Sequence, residues 1–216
     1  MTKELVIEDA NHPSGVLNMP WTPSNLYQYA DTADILMTDT YDWDVSVVAE
    51  QIDTQRDAAG TDKPMWIVLR AYSETTEPTA SYLYGCAYAA LTHTANGILW
   101  FDYSYCQTHS NTWNTVKAIS LELESLTPAI VSDTSSLNVT ASDPDVDTIL
   151  KEYDGDLYLI AVNIGAASNG VTLTVSGVTA TQADVWFESR TEPIASGTIT
   201  DDFTENGRHV YVFPAP

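Results

Sequence analysis

The chain has 216 residues, 44% of them hydrophobic, which fits one or two globular domains and excludes a disordered chain. Thirty acids against 8 lysines and arginines give a net charge of −22, a field that repels DNA, RNA and anionic lipid. Residues 1–132 hold 17 acids and 5 bases and residues 133–216 hold 13 and 3, so the acidity is spread over the whole chain, suiting a neutral substrate or solubility in high salt.

In chain order, residues 2–9 read as the end of a helix, closed by the turn Asp9-Ala-Asn-His-Pro13. Four units of strand followed by helix come next. The strands are expected over Gly15–Pro20, Asp34–Asp39, Pro64–Arg70 and Gly97–Tyr103. Ile35-Leu-Met at the centre of the second is continuously apolar, as in a strand covered on both faces. Ser24 can cap a short helix over 25–30, and Asp44 can cap a helix over Val45–Ala59 that Gly60 closes. The third helix, Ala80–Thr94, is almost wholly apolar, small or aromatic and should be buried on more than one side. The last is expected over Thr112–Ser125, with Pro128 preventing its continuation. Parallel strands need crossovers of this kind, and four such units are half of an eight-stranded (β/α) barrel.

From Leu137 the apolar period falls to two. Strands are expected over Leu137–Ala141, Ile149–Tyr153, Leu157–Ile164, Val171–Val175, Gln182–Glu188, Gly197–Thr200 and His209–Phe213. Asp154-Gly155 is a hairpin signal, and seven short strands at this spacing read as an antiparallel β-sandwich. The expected fold is therefore α/β plus all-β: a half-barrel domain over 1–132 and a β-sandwich domain over 133–216.

The stretches Ala33-Asp-Ile-Leu-Met-Thr-Asp-Thr-Tyr-Asp-Trp43, Lys63-Pro-Met-Trp-Ile-Val-Leu-Arg-Ala-Tyr72 and Gly97-Ile-Leu-Trp-Phe-Asp-Tyr103 resemble the last three strands of retaining (β/α)8-barrel glycoside hydrolases, the β-galactosidase and cellulase-like clan. The tail from Ala183 to Tyr211 resembles the β-sandwich that closes many of them. The resemblance implies that the four strands correspond to strands five to eight, and that the chain acts on neutral β-linked glycosides. It also implies a nucleophile glutamate at the end of strand seven and an acid/base glutamate at the end of strand four. Here Pro64-Met-Trp-Ile-Val continues with Leu69 where the clan often has glutamate, and Glu74 is the nearest acid. The alternative is a non-catalytic carbohydrate-binding or structural remnant of a truncated glycosidase.

Glycosidases use two carboxyls, and barrel chemistry sits at the C-terminal ends of the strands. The acids so placed are Asp39, Asp42, Glu74 and Asp102, of which Glu74, Asp39 and Asp102 are the catalytic candidates. Sugar rings stack on aromatic faces, so Trp21, Tyr41, Trp43, Trp100 and Tyr103 are candidate substrate platforms, joined by Arg70, which can instead pair with Asp39 or Asp102. Trp66 and Phe101 read as core aromatics. No metal or other cofactor is expected: the four histidines lack ligand spacing, Asp143-Pro-Asp-Val-Asp147 lacks the glycine and distal glutamate of a calcium loop, and Cys86 and Cys106 read as free thiols. The expected partner is an oligo- or polysaccharide, with neither nucleic acid nor membrane; no apolar run is long enough for a span and the N-terminus lacks a signal-peptide pattern. A lone half-barrel leaves two strand edges and an apolar face bare. A homodimer completing the barrel is expected, with a β-sandwich folded over the open face as the competing solution.

Overall fold

In the computed structural model, which describes residues 12–19 and 23–216, four short parallel strands lie side by side in sequence order. They are β1 (Gly15–Asn18), β2 (Ile35–Thr40), β3 (Met65–Arg70) and β4 (Gly97–Phe101). Helices α1 (Pro23–Tyr29), α2 (Val45–Ala59) and α3 (Ala80–Thr92) connect them, and a short α4 (Tyr103–Cys106) and long α5 (Ser110–Ile130) follow. The helix expected over 2–9 and most of the turn over 9–13 lie outside the described residues.

Local chemistry sets most of these boundaries. The Asp44 carboxylate accepts the Ser46 amide at 2.9 Å and starts α2, and Gly60, at φ +69°, ends it. Thr79 caps α3 by accepting the Tyr82 amide at 3.2 Å. α1 begins at Pro23, whose fixed φ suits a first helical position, rather than after Ser24. Pro128 does not stop α5. It lies in the last turn, where it removes a single backbone bond, and the buried Leu126 and Ala129 hold that turn against the core.

Strand register divides the parallel sheet into two unlike faces, since successive side chains alternate. Leu36 pairs with Met65, Ile67 with Ile98 and Leu69 with Trp100. This face lies under the helices, where Met65, Ile67 and Leu69 share a core with Val48, Ile52, Leu83 and Ile119. The opposite face carries Leu17 beside Met37, Asp39 beside Val68 and Leu99, and Arg70 beside Phe101. Leu17 is 50% exposed, Leu99 42% and Phe101 45%. Among the described residues β1 pairs only with β2 and β4 only with β3, so both edges are open as well.

The remainder forms two antiparallel sheets. One has the order β10-β9-β12-β7-β6 and the other β11-β8-β5. The strands are β5 (Val139–Ala141), β6 (Val146–Tyr153), β7 (Asp156–Asn163), β8 (Ser168–Val175), β9 (Gln182–Val185), β10 (Arg190–Pro193), β11 (Thr198–Phe203) and β12 (Arg208–Pro214). Leu159, Leu173, Phe203 and Tyr211 belong to one core shared by both sheets. Asp154 and Gly155, at φ +53° and +84°, make the tight turn between β6 and β7. β10 was not expected: Arg-Thr-Glu-Pro has no apolar alternation, and its pairing with β9 holds it as a strand.

The second side of the five-stranded sheet corrects the folded-over alternative. Tyr158, Ile160 and Val162 on β7, with Val210 and Val212 on β12, join the helical core. The antiparallel sheets therefore dock on α3 and α5, behind the parallel sheet, and leave its open face bare. The reason is visible in β7, where Leu157-Tyr-Leu-Ile-Ala-Val162 is apolar without alternation and is buried throughout. Two ionic ties cross this contact. Arg208 donates to both Glu122 oxygens at 2.8 Å while lying 4.2 Å over the Tyr84 ring. His93 bridges Asp53 at 2.6 Å and Asp147 at 2.9 Å.

Candidate functional site

The C-terminal ends of β2, β3 and β4 converge on a pocket of about 430 Å³. Tyr41 and Trp43 follow β2, Arg70 ends β3, and Phe101 ends β4. The loop after β3 supplies Tyr72, Ser73 and Glu74. Its turn is preset by the buried Ser73, whose hydroxyl accepts the Thr75 amide at 3.2 Å and the Thr76 amide at 3.0 Å.

Aromatic rings build much of the wall. Tyr41 stacks on Phe101 with centroids 5.5 Å apart, and Tyr72 meets Phe101 edge-on at 6.2 Å. The Arg70 guanidinium lies 4.5 Å over the Trp43 ring, and its Nη2 donates to the Tyr41 carbonyl. Arg70 thus orients two platform residues. No ion pair with Asp39 or Asp102 forms, which corrects that expectation. The Tyr72 hydroxyl donates to Glu74 Oε1 at 3.1 Å and sets an otherwise exposed carboxylate at the pocket wall.

The other two candidate acids sit differently. Asp39 points from β2 toward the open face and is only 6% exposed, and its Oδ1 has no hydrogen-bond partner. Burial raises its pKa, partly offset by the Tyr41 phenol. The Nε of Arg70 is likewise buried and unpartnered. Asp102 is committed to structure: its carboxylate caps α4, accepting the Tyr105 amide at 2.6 Å. Of the three, only Glu74 lines the pocket.

The aromatic candidates separate in the same way. Tyr41 and Trp43 line the pocket. Trp100 does not: its register partner is Leu69 and it packs against the helical core, so its assignment to the strand-end platform is corrected by strand parity. Tyr103 is exposed but turned to α5, edge-on to Trp113 at 5.7 Å. Trp21 lies outside the described residues. Phe101, expected in the core, is a central wall of the pocket, and the alternation Leu99-Trp100-Phe101 read against Arg70 carries that signal.

One functional support escaped the sequence reading. Glu77 accepts the Thr112 amide at 2.8 Å and its hydroxyl at 2.9 Å, tying the loop after β3 to the start of α5. These bonds, the amide first, hold its carboxyl below the usual range. Cys86 is wholly buried in α3, and burial pushes its thiol up to about 12, which leaves it inert at neutral pH. Among the described residues no group of three or more histidines, cysteines or acids could hold a metal ion, and no helix is long and apolar enough to cross a membrane.

No family model matches the chain, and no curated protein matches it by sequence. Solved structures do. A GH30 endoxylanase from Clostridium papyrosolvens aligns with 86% of this chain and 50% of its own at TM-score 0.53 and 16% identity. A maltogenic α-amylase from Thermotoga neapolitana aligns with 84% and 55% at TM-score 0.52 and 10% identity. An α-amylase from Geobacillus thermoleovorans, solved with acarbose, aligns with 98% and 62% at TM-score 0.54 and 10% identity. The likeness to these three proteins is one of fold, and the chain spans about half their length.

Proposed function

We propose that this chain is the strand-five-to-eight half of a (β/α)8 glycoside hydrolase over residues 1–132, followed by a closing β-sandwich over 133–216, and that its strand-end pocket takes neutral β-linked glycosides. The observation that carries this reading is the pocket itself: an aromatic wall of Tyr41, Phe101 and Tyr72, the Arg70-braced Trp43, and one carboxylate at its edge. Glycan sites combine apolar ring faces with a few fixed polar groups in this way. Glu74 is the carboxyl placed to meet a substrate. Asp39, whose pKa burial raises, is the one suited to hold a proton, the state a general acid needs. Asp102 serves by fixing α4 beside them. A second copy, packed against the open face, would complete the barrel and bring its own Glu74 and Asp39 to the same mouth.

A second reading, non-catalytic glycan binding, is favoured by one observation: a single carboxylate lines the pocket, whereas glycoside hydrolysis uses two. Hydrolysis of aryl β-glycosides by the wild type and by Glu74→Gln separates the two readings. Turnover that falls at least about 100-fold in the amide variant, with glycan binding retained, is expected of a catalyst. Glycan binding without turnover in the wild type supports the second reading, and equal turnover in both proteins removes Glu74 from the chemistry.

A further inference from the structure

Trp43 is 47% exposed although it is held in place, by Arg70 over its ring at 4.5 Å and by Tyr82 at 5.2 Å. A rigid indole left this open loses apolar burial, and exposed aromatics fixed in orientation are characteristic of binding surfaces. Trp43 is also a wall shared by three cavities. One is the strand-end pocket of about 430 Å³. The second, about 490 Å³, continues past the loop after β3 to Tyr82, Glu205 and Asn206. The third, about 510 Å³, runs from Asp42 and Ser46 at the start of α2 to Asp145, Gly165 and Asn206.

The far walls are set by close backbone approach. A Cβ on Gly85 would stand 2.8 Å from Asn206 Cβ, so the bare helix surface lets the β11–β12 turn settle on α3. A Cβ on Gly165 would stand 2.3 Å from the Asp145 carboxylate, so this glycine brings the β7–β8 loop against the turn before β6. The cleft between the parallel-strand loops and the antiparallel turns is thus fixed by the fold, with Trp43 at its middle.

We propose that this cleft is an extended glycan-binding groove: a neutral oligosaccharide seated in the strand-end pocket continues over Trp43 into the cavities beside Asn206. This rests on the carbohydrate reading of that pocket and adds chain length and charge to it. Each cavity falls in the roughly 300–1,000 Å³ range of small-ligand sites, and because all three share Trp43 as a wall they suit a ligand that extends beyond a single sugar ring. Its titratable lining is nearly all acidic, with Asp42, Asp44, Asp145, Glu205, Glu74 and Glu77 against Arg70 alone. Carboxylated glycans are therefore repelled and neutral ones admitted.

The test is calorimetric binding of neutral oligosaccharide ladders, xylo-, cello- and malto-, from two to six units, with oligogalacturonates as the anionic comparison. The Glu74→Gln protein is used so that turnover cannot consume the ligand. Affinity should rise at least tenfold from two to five units in one neutral ladder and be absent for the anionic one. Adding Trp43→Ala should remove most of that gain, and adding Asn206→Gly, which suits the φ of +56° at that position, should weaken only the longer members, both with the native circular dichroism spectrum retained. Affinity independent of length, equal binding of the anionic ladder, no binding of any neutral ladder, or a gain untouched by Trp43→Ala overturns the groove. Length-dependent binding without hydrolysis by the wild type sinks the hydrolase reading and leaves the groove standing. Hydrolysis of short glycosides without length dependence does the reverse.

Discussion

Arg190 and Arg70 are both strand residues in acidic surroundings, and the two are treated in opposite ways. Arg190, in the antiparallel region, donates to Glu188 at 2.7 Å, to Asp201 at 2.7 Å and to Glu192. Glu188 also meets His209 at 2.6 Å, and the Tyr211 hydroxyl donates to Asp201 at 2.8 Å. Burial acts against the Arg190 charge, but the bonds to Asp201 and Glu188 outweigh it and hold the guanidinium more firmly protonated. Arg70, at the parallel strand ends, reaches a carbonyl and an indole ring and keeps a buried Nε without a partner, near an Asp39 whose Oδ1 also lacks one. Around Arg190 the antiparallel region closes its polar valences within itself. The parallel region leaves them open on the face where its apolar side chains are also bare. Buried unpaired polar groups cost stability, and each calls for a partner, whether water, ion, ligand or protein.

The widest separation between the two regions is in assembly. If the parallel face is the unfinished one, the chain should self-associate through it, with light scattering giving a mass approaching twice 23.7 kDa at micromolar concentration. Leu99→Lys, on a side chain already exposed, should return the protein to a monomer with an unchanged circular dichroism spectrum, its melting temperature falling only by the stabilisation that association supplied. A concentration-independent monomer in the wild type would break the comparison at this point, since the bare face would then be tolerated in solution.

The same substitution made in each region sharpens the contrast. Arg190→Met strips the shared partner from Glu188, Glu192 and Asp201 and should cost about 3 kcal/mol in urea unfolding, as expected when one side of a largely buried ionic network is removed. Arg70→Met loses one carbonyl bond and a ring contact and should cost less than about 1 kcal/mol, its effect falling on glycan binding instead. Equal costs would mean that Arg70 is as structural as Arg190.

What the sequence disclosed follows the same division. Strands β1 to β4, α2 with its Asp44 cap and the Asp154-Gly155 hairpin were legible because period, cap and turn chemistry are local. Placing Trp43, Tyr41 and Glu74 at strand ends followed from those elements. Trp100 and Phe101 were exchanged because composition cannot tell which face of a strand a residue takes, and only pairing to β3 fixes the parity. The unbroken apolar run of β7 tells that it is covered on both sides but not by what: the docking of β6 and β7 on α3 and α5, like the clamp of Glu77 on Thr112, joins residues far apart in sequence.

A small, pH-dependent effect lies where the two regions meet. His93 places Nδ1 on Asp53 and Nε2 on Asp147, and both contacts are hydrogen bonds only when both ring nitrogens carry protons. Burial alone would lower the imidazole pKa. The bonds to Asp147 and Asp53 overcome this and raise it from 6.5 to about 8. A group whose folded pKa is raised stabilises fully below its unfolded pKa, and that contribution is lost as pH climbs through the folded value. The tie should therefore be intact at pH 6, weaken between 6.5 and about 8, and be gone by pH 9. A shift of this size corresponds to about 2 kcal/mol at most, and the solvent around Asp53 reduces it to about 1 kcal/mol. Urea unfolding of the wild type and His93→Gln at pH 6, 7.5 and 9 reads it directly. The wild type's advantage should shrink steadily toward zero across the series. An advantage that is constant or grows with pH would mean that His93 is bound neutral and that Arg208 with Glu122 carries the ionic contact between helices and antiparallel sheets.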